Sequence, residues 1–108
     1  MVYIISIANY PQHLSDEVGK TYIEAMKEFP VDRSISKPIV QAAVQTGPEG
    51  FKVTVISSAK EGKLKEALDL ATKRMLVFAK IKGFRYTIDT AYDAVEAMAF
   101  IGMKAPEE

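Results

Sequence analysis

The stretch Glu61 to Lys82, EGKLKEALDLATKRMLVFAKIK, constrains the fold more than any other part of the chain. Leu64, Ala67, Leu68, Ala71, Met75, Phe78 and Ala79 recur at the three- and four-residue spacing of one helical stripe. Lys63, Lys65, Glu66, Asp69, Lys73 and Lys80 fall mostly off it. A helix of about 20 residues is roughly 30 Å long, enough to cross a small sheet. Nothing on its apolar face carries chemistry, so the rest of the chain must supply both the surface it covers and any site.

The remaining segments read as strands and two more helices. Val2 to Ala8 is a short Ile-rich strand stopped by Asn9-Tyr10-Pro11. Tyr3, Ile5 and Ile7 point one way, and Val2, Ile4, Ser6 and Ala8 the other. Both faces are largely apolar, which predicts a central strand covered on both sides. Ser15 is a good N-cap for a helix reaching about Phe29, where Pro30 ends it. Val18, Tyr22, Ile23, Met26 and Phe29 form its stripe. Pro38 to Thr46 and Phe51 to Ser58 alternate around the turn Gly47-Pro48-Glu49-Gly50, which predicts an antiparallel hairpin. Ser58 and Glu61 fit a capping box for the long helix, with a start one turn later equally compatible because of Gly62. Gly83 is placed to end that helix. Phe84 to Ile88 is a last strand, and Thr90 and Asp93 fit a second capping box. Tyr92 to Met103 then forms a short helix that is apolar nearly all round, so more than one of its sides needs cover. The tail, Lys104 to Glu108, is expected to fray.

A chain of 108 residues makes one domain, residues 1–108. Fourteen basic and fourteen acidic residues cancel, which argues against nucleic acid as a partner. The absence of cysteine excludes disulfides, thiolate metal sites and a Cys nucleophile. The apolar start has no basic region before it, which predicts neither a signal peptide nor a membrane span and makes a cytoplasmic location the expectation.

The element order is β-α-β-β-α-β followed by a helix. This is the order of a ferredoxin-like α+β sandwich, with an antiparallel four-stranded sheet and both main helices on one face. The second face is expected to carry Ile4, Ser6, Gln41, Ala43, Gln45, Lys52, Thr54, Ile56, Arg85, Thr87 and Asp89. It is too apolar at its centre for water, and a partner sheet would cover it. Two sheets meeting in this way make a dimeric α+β barrel. The element order resembles that superfamily, as does GKLKEAL at Gly62 to Leu68. KGFRYTIDTAYDAVEAM, Lys82 to Met98, is similar to the ends of its small uncharacterised members. The resemblance covers nearly the whole chain and implies a homodimer. The superfamily includes small monooxygenases, muconolactone isomerase-like enzymes, haem-handling proteins and stress-response proteins. No motif here selects among them.

Candidate site residues follow from position and chemistry. His13 is the sole histidine and shares a loop with Tyr10 at the end of the first strand. With Asp16 and Glu17 nearby it suits proton transfer, but falls far short of a closed metal set; the plainer reading is an exposed loop histidine. Arg85, Thr87 and Asp89 share one face of an edge strand, as do Gln41 and Gln45 on the other, with Lys52 on a central strand. Together Tyr10, His13, Gln41, Lys52, Arg85 and Asp89 form the candidate ligand-binding set, for a ligand with a polar or anionic group. The plainer reading of the charged members is a solvated sheet face or dimer salt bridges. The glycines form no phosphate loop. The third strand, with its single aromatic Phe51, lacks the aromatic pattern of an RNA-recognition module. No cofactor or metal is expected. The expected function is small-molecule binding by a homodimer, between sheet and helices or at the dimer seam. The alternatives are a cofactor-independent monooxygenase or isomerase, with His13 moving a proton and Tyr10 or Tyr86 orienting substrate, and a structural or regulatory dimer without ligand.

Overall fold

The alternating segments become four strands: β1 Val2–Tyr10, β2 Ser36–Gly47, β3 Gly50–Ala59 and β4 Arg85–Tyr92. The helical segments become α1 Ser15–Glu28, α2 Leu64–Val77 and α3 Ala94–Ala99, with short 3-10 turns at Gln12–Leu14 and Phe78–Lys80. The computed structural model describes residues 1–104; residues 105–108 of the expected frayed tail lie outside that range. The fold is mixed α+β, with an open antiparallel sheet in the order β2-β3-β1-β4.

The central position expected of β1 is observed, but the strand is turned over. Ile4, Ser6 and Ala8 are buried, and Ile4 packs with Ala59 of β3 and Ala67 of α2. Ile4 and Ser6 therefore leave the second face, where Tyr3, Ile5 and Ile7 take their place. The register agrees: Ile5 lies between Ile56 and Asp89, and Ile7 between Thr54 and Thr87. Alternation decides between faces only when one is polar, and here neither is.

β2 departs from simple alternation. Pairing with β3 steps from Pro38–Ser57 to Val40–Ile56 and then to Ala43–Thr54, so β2 gains a residue at each shift. Such bulges re-aim side chains. β2 is an edge strand, which tolerates Pro38 and its missing donor. The hairpin turn forms as expected and ends on Gly50, whose φ is +119°. A Cβ at Gly50 would also run into the Tyr10 carbonyl oxygen.

Several helix ends differ from expectation. Ser58 stays in β3, so α2 starts at Leu64 with Lys63 as N-cap and no side-chain cap bond. Its α-helical turns stop at Val77, and Phe78–Lys80 tightens to 3-10. Leu14, not Ser15, is the N-cap of α1; the Ser15 hydroxyl instead donates to the Gln12 carbonyl at 2.6 Å. Thr90 remains in β4 opposite Ile4. Asp93 caps α3, accepting from the Glu96 N–H at 2.8 Å, and also meets the N-terminal ammonium at 3.3 Å.

The core is in two parts. Val18 and Ala25 of α1 pack with Phe78 and Ile81. Ile4, Ala59 and Ala67 form the second cluster, with Leu68, Ala71 and Ile88 against it. α3 buries none of its residues, and Val95, Phe100 and Ile101 are 64%, 70% and 71% exposed.

Candidate functional site

The buried clusters draw on β1, the end of β3, α1, α2 and the 3-10 turn after α2. Val40 and Val44 of β2 and Val53 and Val55 of β3 belong to neither. They face a cavity of about 380 Å³ between the sheet and the two long helices, in the range of small-molecule sites. Small side chains beneath the helices, Ser6 and Ala8 on β1, help keep it open. Tyr22 and Met26 of α1 and Ala71, Arg74 and Met75 of α2 close it from above.

Aromatic rings form one wall. Tyr10 lies 5.4 Å from Phe51 and 6.1 Å from Phe84, and Phe84 stacks on Phe78 at 4.6 Å. Tyr10, Phe78 and Phe84 line the cavity directly. Desolvation raises the Tyr10 pKa above its ordinary value of 10.0, so the phenol is neutral in the folded protein at physiological pH. The polar lining is sparse: the hydroxyls of Ser6, Ser15, Ser36 and Ser57, the Gln41 amide, the two tyrosines and Arg74.

Among the described residues Arg74 is the one full charge on that lining. Its Nε donates to the Phe29 carbonyl at 2.8 Å, satisfying an acceptor at the C-terminal end of α1. Its Nη2 is buried without a hydrogen-bond partner among the described residues. Burial lowers the Arg74 pKa below its ordinary value, while nearby Tyr22 acts in the opposite direction. The guanidinium remains charged nonetheless. The long helix therefore does carry chemistry on its inner face, contrary to expectation. Arg74 stands three residues after Ala71 and four before Phe78, a stripe position held by a cation. That spacing was the signal available in the sequence.

The six sequence candidates separate into three places. Tyr10 and Gln41 line the cavity. Gln41 does so because it falls within the irregular part of β2, between the paired positions Val40 and Ala43. Lys52 and Arg85 flank Asn9 on the opposite, open face, and Asp89 sits beside Ile5 there; all three are exposed. His13 is exposed in the 3-10 turn before α1 and is not part of the lining. Among the described residues no cluster of three or more His, Asp or Glu side chains is placed to hold a metal ion. No described helix is long and apolar enough to cross a membrane.

No protein-family model matches the chain, and no curated protein matches it. Among solved structures, a de novo designed protein, Foldit4, aligns with a TM-score of 0.53 at 14% identity, over 85% of this chain and 96% of that one. An unknown protein from Galdieria sulphuraria aligns with a TM-score of 0.47 at 11% identity, over 86% of this chain and 46% of that one. The likeness to the designed protein is one of fold alone.

Proposed function

We propose that this chain is a ferredoxin-like domain that binds a small, partly apolar molecule in the cavity between its sheet and long helices, and that it works as a homodimer. The observation that carries this reading is the cavity itself. Its floor of Val40, Val44, Val53 and Val55, its aromatic wall and its few polar groups match the lining of a ligand site. The strand order β2-β3-β1-β4 has the first and third strands in the middle, as the ferredoxin-like reading requires.

The dimer rests on the other face. Tyr3, Ile5 and Ile7 form an apolar strip along the central strand β1, bordered by Lys52, Arg85 and Asp89. Both long helices, α1 and α2, lie over the inner face instead. A second sheet of the same kind covers the strip in a dimeric α+β barrel. Lys52, Arg85 and Asp89 then sit at the seam.

Size exclusion with light scattering, and native mass spectrometry on the same fraction, tests both parts. The reading expects about twice 11.9 kDa and binding of small apolar molecules with one site per chain. Ile7→Lys should give a folded monomer that still binds. A wild-type monomer would overturn the dimer. A dimer that takes up no apolar molecule would overturn the cavity function.

A further inference from the structure

We infer that the cavity selects an amphipathic monocarboxylate, with Arg74 as the anchor for its carboxylate; this rests on the binding function proposed above. The inference comes from an imbalance of charge within the site. No Asp or Glu is found among the described residues lining the cavity, so the Arg74 guanidinium has no internal counter-ion there. It also takes part in no salt bridge with any described residue. One nitrogen, Nε, is used by the Phe29 carbonyl, while Nη2 is buried with no hydrogen-bond partner among the described residues. A buried donor left unsatisfied is costly, and a carboxylate oxygen is its best-matched acceptor.

The rest of the lining sets the body of the ligand. Valines from two strands, Met75 and the aromatic wall demand an apolar chain or ring. At about 30 Å³ per water-sized group, the volume suits a molecule on the order of a dozen non-hydrogen atoms. Ser57, Ser36 and Gln41 supply neutral donors without a competing negative charge. A cationic ligand would meet the guanidinium with no carboxylate to offset it. A multiply charged phosphate would have to shed its hydration among valines with a single cation to receive it.

The test compares sodium octanoate with 1-octanol by isothermal titration calorimetry at pH 8, using the full-length wild type and Arg74→Met. In the wild type octanoate should bind roughly 10- to 100-fold more tightly than octanol, the range for a hydrogen bond to a charged group. In Arg74→Met that preference should vanish, with octanol affinity changed less than about twofold if the apolar walls are intact. Equal wild-type affinities, or a preference that survives in the variant, would overturn the anchor and leave the cavity function standing. If neither molecule binds, both fail.

A second measurement does not depend on the variant folding. The carboxyl carbon of bound 13C-labelled octanoate should titrate at a lower pH than that of the free acid, since a neighbouring cation favours the ionised form. An unshifted or raised titration would overturn the assignment.

Discussion

Replacing two adjacent isoleucines tests which side of β1 lies under the helices. Ile4 is 1% exposed and touches Ala59 and Ala67, with Leu68, Ala71 and Ile88 around them. Ile4→Ala deletes three buried carbons at about 0.8 kcal/mol each, so about 2.4 kcal/mol is lost by transfer alone. The residual cavity adds to this, because α2 is tied to the sheet on both sides of the gap, and the total should be about 3–4 kcal/mol. For a domain of this size that is a fall in Tm of roughly 12–30 °C. Ile5 faces the other way and is only partly buried within the chain. Ile5→Ala should cost about 1 kcal/mol or less in the monomer, and any larger loss in a dimer should shrink on dilution. Urea titrations followed by circular dichroism, repeated over a wide range of protein concentration, read both. Equal losses at the lowest concentration, or a smaller loss for Ile4→Ala, would refute the facing of β1 and with it the position of the cavity.

Three further outcomes follow. Val55→Phe places a larger side chain in the cavity; stability should change by no more than about 1–2 kcal/mol, while octanol binding should fall below detection by calorimetry. The raised Tyr10 pKa means its stabilising neutral form is complete below pH 10 and is lost as pH rises through the folded-state value. Tyr10→Phe should therefore flatten the alkaline side of the stability–pH curve above about pH 10, read by thermal melts. Gly50→Ala combines a φ of +119° with a Cβ that meets the Tyr10 carbonyl; it should cost more than about 2 kcal/mol, whereas Gly19→Ala, with open space around it, should be neutral or stabilising.

The element order, the β2–β3 hairpin and the long amphipathic helix were legible because each depends on local periodicity and turn chemistry. The facing of β1 was not, because VYIISIA is apolar on both sides and its facing is set by what packs on it. The small residues Ser6 and Ala8 look like the weaker face, yet they are the ones under the helices. A strict two-residue period puts Gln41 on the outer face, and the β2 bulges break that period. Arg74 is hard to recognise in the sequence because one arginine among Lys73, Lys80 and Lys82 reads as part of a solvated face. Its distances from Ala71 and Phe78 show that it interrupts the apolar stripe. The capping patterns at Ser58 and Thr90 mislead for a related reason: β3 and β4 run further than their alternation suggests, and they hold both residues in extended pairing.

The most direct test of the cavity as the binding site is a methyl NMR titration with octanoate, using protein labelled at valine and isoleucine methyls. Shifts concentrated at Val40, Val44, Val53 and Val55, with Ile5 and Ile7 unmoved, are the predicted result. Shifts confined to Ile5 and Ile7 would place the site on the open face of the sheet, and would contradict the account.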